Sequence, residues 1–593
     1  MDYYTYPLDT KTLLRKKIMI KKELLSDNVE WIIKKIAVLG GSTTNEVVDQ
    51  LELALLNHGI KADFYQSEYG KYWEDVMFDN PALDDFEPDF IYIHVNWRNI
   101  TSFPTLSDTD EEIENKAESE FGRFVQLWEK IYEKYHCIII QNNFERPDHR
   151  LLGNRDIWDL HGKSNYIFGL NQQLYQYARS HSSFFINDLN YIAQSVGLIE
   201  WSDPLYWNMY KYICPINAIP HIAVSVANII KSVLGKNKKL MALDLDNTLW
   251  GGVIGDDGID NIQIGKETPK GQSFYTFQEY CKELKQIGVV LAVDSKNDEE
   301  NAVEGLRHPD GVLKPDDFVS IKANWLPKDQ NLSEIAEELD LGLDGFVFID
   351  DNPAERELVK NNLKMVTVPE ISGPEKYVVE IDRCGFFEVT NFSAEDYSRT
   401  DQYKARAMAK AVQGEYADYS DYLKSLNMRA VITGFDPLYI SRIAQLTNKT
   451  NQFNLTTKRC TEEEIRYMYD SDKYVCICGR LVDRFTDNGI VTVVVGEMIE
   501  SELHIRIWLM SCRVLKRGLE DAIMNEIVKR SEKIGIKTIK GYYYPTSKNN
   551  MVKGFYCDMG FELCSEDDEH NTTWKLDIMK YEYRNTQIDV EEG

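Results

Sequence analysis

Residues 239–258 read KLMALDLDNTLWGGVIGDDG, and this stretch decides the fold. An apolar run, LMAL at 240–243, ends on Asp244, with Asp246 and Thr248 in the turn behind it. A short apolar strand that hands over to acids belongs to a parallel α/β sheet, where both faces are covered and the working groups sit at the carboxyl ends of the strands. Two further stretches repeat the pattern. GVVLAVDSKN at 288–297 ends on Ser295, and GFVFIDDNPAER at 345–356 ends on Asp350 and Asp351. Between them Lys328 opens a helical segment, KDQNLSEIAEEL.

Taken in order, this series of Asp-x-Asp-x-Thr, Ser, Lys and Asp-Asp resembles the haloacid-dehalogenase (HAD) phosphatase superfamily. The residue types suit phosphoryl transfer, which needs an in-line nucleophile, neutralisation of the equatorial oxygens and a proton for the leaving oxygen. The resemblance makes Asp244 the nucleophile, forming an aspartyl-phosphate. Asp246 is the expected general acid and then base. Thr248, Ser295, Lys296, Asn297 and Lys328 are expected around the phosphoryl group. Asp244, Asp246 through its carbonyl, Asp350 and Asp351 are expected to hold Mg²⁺, a hard cation that takes oxygen ligands. About 20 residues separate Asp246 from the helix near Lys270, and about 30 separate Ser295 from Lys328. Neither interval holds a cap domain, so the site takes a large substrate or is closed by the flanking parts.

The whole chain has 593 residues with 67 Lys plus Arg against 96 Asp plus Glu, a net charge of −29. That length implies about three to five domains. A 43% hydrophobic and 12% aromatic content excludes global disorder, and −29 disfavours a nucleic-acid partner. Ten dispersed cysteines indicate reduced thiols and a cytoplasmic setting. The segment 222–234, IAVSVANIIKSVL, carries a lysine and reads as an amphipathic helix rather than a membrane span. Composition shifts divide the chain at 1–235, 236–375 and 390–593, all of α/β class.

In the first part, KKIAVLGGSTTNEVVDQLELALLNHGI at 34–60 reads as strand, turn and helix, and FIYIHVN at 90–96 and CIIIQNN at 137–143 as further strands of a parallel sheet. Gly40, Gly41, Ser42, Asn96 and Asn142 fall at its turns. The arrangement resembles the three-layer SGNH-hydrolase fold. Gly41 stands where that fold has Asp, and no Asp-x-x-His block follows, so Ser42 is expected to cap a helix in a non-catalytic scaffold.

The string DLDNTLWGGVIGDDG, with LTNKTNQFNLTTKR at 446–459, LVDRFTDNGIVTVVV at 481–495 and WLMSCRVLKRGLE at 508–520, resembles the FkbH-like proteins. Membership implies that a glyceryl unit from a 1,3-bisphosphoglycerate-type donor is loaded onto the phosphopantetheine arm of an acyl carrier protein, with dephosphorylation by the HAD part. An alternative is a HAD phosphatase whose last part acylates another acceptor, such as an amino sugar nucleotide. That part also resembles the GNAT acyltransferase fold, in which a loop at a helix N-terminus cradles a diphosphate. The loop is Arg513–Gly518 here, with Lys516 in place of its first glycine. Cys512 is the candidate acyl-carrying nucleophile, with Arg513, Lys449 and Asn454 as candidate substrate contacts and Asp483 or Asp487 as possible bases.

Overall fold

The computed structural model describes residues 3–26, 31–392, 394–397, 399–413, 416, 418–450, 452–546 and 548–592, with backbone only at 394, 395, 411, 413, 512 and 592. The chain folds as two compact units, Met1–Lys231 and Ser232–Gly593. The second and third sequence parts therefore share one unit.

In the first unit, strands β1 (Ile32–Gly40), β2 (Ile60–Gln66), β3 (Phe90–His94), β4 (Ile138–Asn142) and β5 (Phe184–Asn187) form a parallel sheet in the order β2-β1-β3-β4-β5. Every residue of β3 and β4 is buried, which is why both read as unbroken runs rather than alternating ones. The helix Asp110–Tyr135 starts at a capping box between Thr109 and Glu112. It brings Phe124, Leu127, Trp128 and Ile131 into one cluster with Ile91, Ile93 and Ile139.

Strand order reverses between β1 and β3, the position at which open α/β sheets form a crevice. Here the chain fills that crevice itself. The Gly41 amide donates to the His94 carbonyl at 3.0 Å, and Asn99 Nδ2 donates to the Gly41 carbonyl at 2.9 Å. A Cβ on Gly41 would lie 2.4 Å from Asn99 Nδ2, so a side chain there would have to displace the Asn99 amide. Thr43 is tied down as well, its amide to the Lys211 carbonyl at 3.0 Å and its hydroxyl to the Tyr210 carbonyl at 2.7 Å.

The second unit opens with a parallel sheet of β6 (Leu240–Leu243), β7 (Val290–Ser295), β8 (Phe318–Ala323) and β9 (Phe346–Ile349), in the order β8-β7-β6-β9. Its reversal lies between β6 and β9, so Asp244 and Asp350 stand on either side of the crevice. Residues 247–268 hold the single-turn helix Ile254–Asp257 and one short 3₁₀ turn, which is too little for a cap.

The last sheet is built from β10 (Arg429–Thr433), β11 (Phe453–Asn454), β12 (Tyr474–Val482), β13 (Asp487–Ile499), β14 (Glu502–Met510), β15 (Thr538–Tyr543), β16 (Glu562–Glu566), β17 (Thr572–Asp577) and β18 (Asp589–Glu592). The order is β16-β17-β15-β14-β13-β12-β10-β18, with β11 paired to β14. β14 and β15 run parallel in register only over Glu502–His504 and then diverge. The fork between them is bridged by the chain after β11: the Leu455 amide donates to the Trp508 carbonyl at 3.1 Å and the Tyr544 amide to the Leu455 carbonyl at 2.8 Å.

The helix Arg399–Gln413, which the sequence places in the third part, is pinned to the surroundings of the β6–β9 sheet. Arg399 Nη1 donates to the Gly288 carbonyl at 3.1 Å, Arg406 pairs with Asp340, and Lys410 donates to the Glu337 carbonyl. The helix after the expected 375–390 seam thus touches both parts, since its Gln402 also accepts from Arg513. One segment among the described residues, Ile216–Val233, is long and apolar enough to cross a membrane, and 67% of it is buried within the structure.

Candidate active site

Lys328 is the centre of the site. It is the first residue of the helix Lys328–Leu339 and is buried at 2% exposure. Its Nζ donates to Asp244 Oδ1 at 2.7 Å and to Asp350 Oδ2. Burial opposes its charge, but the two carboxylates outweigh that and raise its pKa above the ordinary lysine value. Asp244, Asp350 and Asp351 each bring a carboxylate oxygen within 4.8 Å of the other two. Burial, then repulsion from Asp244, raises the pKa of Asp350 and of Asp351. Three acids around one cation form a cluster short of positive charge, a donor set suited to a hard divalent cation.

Thr248 ties the two strand ends together. Its hydroxyl donates to Asp244 Oδ2 at 3.4 Å and accepts the Asp351 amide at 3.2 Å. Asp246 faces a separate set of donors: Trp250 Nε1 at 2.8 Å and the Ile254 amide at 3.1 Å on Oδ1, and Asn297 Nδ2 at 3.1 Å on Oδ2. Burial raises its pKa against those hydrogen bonds, the direction that suits a proton donor. The side chain of Asp246 is thus outside the three-carboxylate cluster.

Ser295, at 1% exposure, ends β7 beside these groups. Two phosphate-binding expectations change. Asn297 orients Asp246. Lys296 reaches Glu355 Oε1 at 2.6 Å, joining the turn after β7 to the helix Pro353–Asn362.

Sequence reasoning missed two residues. Arg356 Nη1 donates to the Asp350 and Asp351 carbonyls at 2.8 Å each and so fixes the acidic turn. Asp294 is fully buried, with Oδ1 accepting Asn331 Nδ2 at 2.9 Å and Oδ2 unpartnered. Burial pushes its pKa up to about 8, with Asn331 and Lys328 opposing and Asp244 adding to the rise. The direction of the shift favours the protonated form. The signal for both was adjacency: each lies within six residues of a motif acid or serine.

Residues 35–231 match the model of a family described as FkbH, N-terminal domain. A crystal structure of the N-terminal part of the protein BF1531 from Bacteroides fragilis, containing a phosphatase domain and complexed with Mg, is similar at 30% identity with a TM-score of 0.59, covering 63% of this chain and 99% of that one. The chain belongs to the FkbH-like family. In it an FkbH-family phosphatase domain is followed by the β10–β18 sheet. The ribosomal-protein-S18-alanine N-acetyltransferase from Escherichia coli is similar at 11% identity with a TM-score of 0.21, covering 25% of this chain and 94% of that one. The GNAT domain of S. lividans PAT is similar at 13% and 0.21, covering 25% and 89%. No curated protein matches the chain.

In the β10–β18 part of this FkbH-like chain, Cys512 opens the short turn Cys512–Val514, and its side chain lies outside the described residues. The two candidate bases are otherwise engaged: Asp483 pairs with Arg517 at 2.6 Å and Asp487 with Arg480. Asn454 is consumed by the Thr457 amide at 2.9 Å and the Thr450 carbonyl at 3.3 Å, so it shapes the turn. Lys449 ends the helix Ile440–Lys449, where burial and the nearby Arg399 lower its pKa to about 8. Its charged neighbours are Arg399, Asp396, Arg442 and Lys239. Arg513 Nε donates to Ser511 Oγ at 3.1 Å, and its Nη1 donates to Gln402.

Proposed function

We propose that this chain is a Mg²⁺-dependent phosphatase joined to an acyl transferase, which loads a glyceryl unit from a phosphorylated glycerate-type donor onto the phosphopantetheine arm of an acyl carrier protein and removes the remaining phosphate. The observation that carries the phosphatase half is Lys328 seated between Asp244 and Asp350 at the crevice of the β6–β9 sheet. Bound by Asp244, Asp350 and Asp351 with the Asp246 carbonyl, Mg²⁺ would neutralise charge on the phosphoryl oxygens.

Asp244 forms a P–O bond as the ester P–O bond breaks, and the departing oxygen takes the proton of Asp246. Lys328 and Ser295 hold the equatorial oxygens, and Thr248 keeps Asp244 aimed. Water then attacks phosphorus and gives its proton to Asp246. The Asp244–phosphorus bond breaks, releasing phosphate and restoring the carboxylate. For the transfer half, Cys512 would displace the acyl phosphate as a thiolate and pass the glyceryl thioester to the carrier thiol.

Mass spectrometry and phosphate release test the two halves separately. Asp244→Asn should abolish Mg²⁺-dependent phosphate release with circular dichroism unchanged, and retained turnover would refute the nucleophile. Incubation with 1,3-bisphosphoglycerate should add a glyceryl mass that Cys512→Ala loses; no adduct on the wild-type chain would sink the thioester step.

A further inference from the structure

The turn that carries Asp246 and Thr248 is held from outside its own strand. Asn247, between them, stands in the left-handed region at φ +56°, a conformation that surrounding contacts must hold. Two contacts hold it. Its side-chain Oδ1 accepts the Gly252 amide at 3.1 Å, and its carbonyl accepts Tyr377 Oη at 3.2 Å. No backbone amide among the described residues donates to that carbonyl, so the tyrosine hydroxyl is what satisfies it. Two of the three donors to Asp246, Trp250 and Ile254, belong to the same loop and move with it.

Tyr377 lies past 375, where the sequence ends the second part, yet it is only 2% exposed. The segment after β9 returns it to the site in three steps. Thr367 pairs in parallel with Val347 of β9, its amide donating to the Phe346 carbonyl at 3.1 Å and its carbonyl accepting the Phe348 amide at 2.9 Å. Glu370 then takes Arg356 at 3.1 Å, the same arginine that spans the Asp350 and Asp351 carbonyls. Ser372 closes the loop, its amide and hydroxyl donating to Glu380 at 2.9 and 2.6 Å, and so places the short helix Tyr377–Asp382. There the Tyr377 ring meets Phe277 edge-on, with centroids 5.4 Å apart. Burial, then the charge of Asp351, raises the pKa of the hydroxyl, so it keeps its proton and remains a donor. The hydroxyl therefore stands between the two acidic turns, bonded to one and within electrostatic reach of Asp350 and Asp351 on the other.

We infer that Tyr377 is a positioning residue of the phosphatase site: its hydroxyl holds the Asn247 carbonyl, and through that turn sets the carboxyl of Asp246 toward the leaving oxygen. The segment after β9 is thereby a working part of the site as well as the connection to the last sheet. Tyr377 touches no reacting atom. Its effect passes along the backbone, because a fixed Asn247 peptide fixes the direction of the residues on either side of it. The inference rests on the phosphatase reading above and adds to it a residue that acts through the proton donor.

Phosphate release by the full chain in saturating Mg²⁺ tests it, with p-nitrophenyl phosphate and 2-glycerol phosphate as separate probes. A nitrophenolate departs without a proton, whereas an alkoxide requires one. Tyr377→Phe keeps the ring and removes only the hydroxyl. Measured well below its melting transition, it should show kcat about tenfold lower on glycerol phosphate, with KM within about twofold and little change on p-nitrophenyl phosphate. A merely structural role would instead lower the melting transition and leave both kcat values as in the wild type. That result overturns the inference, and so does an equal fall on the two probes. Wild-type turnover of p-nitrophenyl phosphate alone would also overturn it, since no proton step would be there to position. Asp244→Asn separates the two levels: if it retains turnover, the phosphatase reading fails and this inference with it. Loss of turnover in Asp244→Asn beside wild-type behaviour in Tyr377→Phe retires the tyrosine alone.

Discussion

Lys328→Met removes the one cation that the structure seats among Asp244, Asp350 and Asp351. Lys328, Asp244 and Asp350 have side chains only 3%, 8% and 1% exposed, so water screens the pairing little. Removing one partner of a buried pair costs about 3–5 kcal/mol. At about 2–4 °C per kcal/mol, this lowers the melting transition of the second unit by on the order of 10 °C. The cost depends on pH, and its sign follows from Asp350. Its folded pKa lies above the unfolded value, because of burial and then Asp244. Its ionisation therefore erodes stability as pH rises from about 4 through the folded value. Without Lys328 that folded value climbs further and the erosion extends to higher pH. Calorimetry in EDTA should show a larger deficit at pH 8 than at pH 5, and added Mg²⁺ should narrow it. Phosphatase kcat should fall by about 10²–10³. A melting transition equal to wild type at pH 8 in EDTA would refute the reasoning.

Asp294→Asn should stabilise the second unit at pH 7.5 by on the order of 2–4 kcal/mol and raise its melting point, because a carboxyl with a pKa near 8 is ionised in the unfolded chain and neutral in the folded one; an unchanged melting curve would mean it is ionised in place. His94 is buried and its pKa is lowered to about 3, so the first unit should lose about 1.4 kcal/mol per pH unit between pH 6.5 and 3, and His94→Gln should flatten that slope in acid-unfolding curves. Ser42 is 1% exposed and its hydroxyl has no partner to take its proton, so a fluorophosphonate probe should leave it unlabelled; strong labelling would show an active serine.

Strand-end acids are legible in the sequence because an apolar run broken abruptly by charge marks the point where a buried strand leaves the core. Lys328 is legible as the first residue of a helical pattern. Asp294 is not, since its importance comes from Asn331, 37 residues away, and from the absence of any partner for Oδ2. Arg356 has the look of an ordinary helix-surface cation, and only the fold shows it spanning two carbonyls. Glu520 reads as an acid in a first helical turn, a common preference; that it folds back onto the Lys516 amide depends on two left-handed residues, Lys516 and Gly518, which only the backbone displays. Asn454 and Lys449 stand out as polar residues in a distinctive string, but their partners are local turns and the phosphatase border. That the helix Arg399–Gln413 is also anchored on Gly288, Glu337 and Asp340 is not legible, because those residues lie far earlier in the chain, beyond the reach of any local pattern.

The two parallel sheets offer the same opening where strand order reverses, and the chain furnishes them in opposite ways. Between β1 and β3 it spends neutral amides and carbonyls on itself, so a ligand would first have to displace Asn99 and the 210–211 segment. Between β6 and β9 it gathers three acids around one lysine, leaving an excess of negative charge that an incoming divalent cation would balance. Substitutions should accordingly be felt as shape in the first opening and as charge in the second.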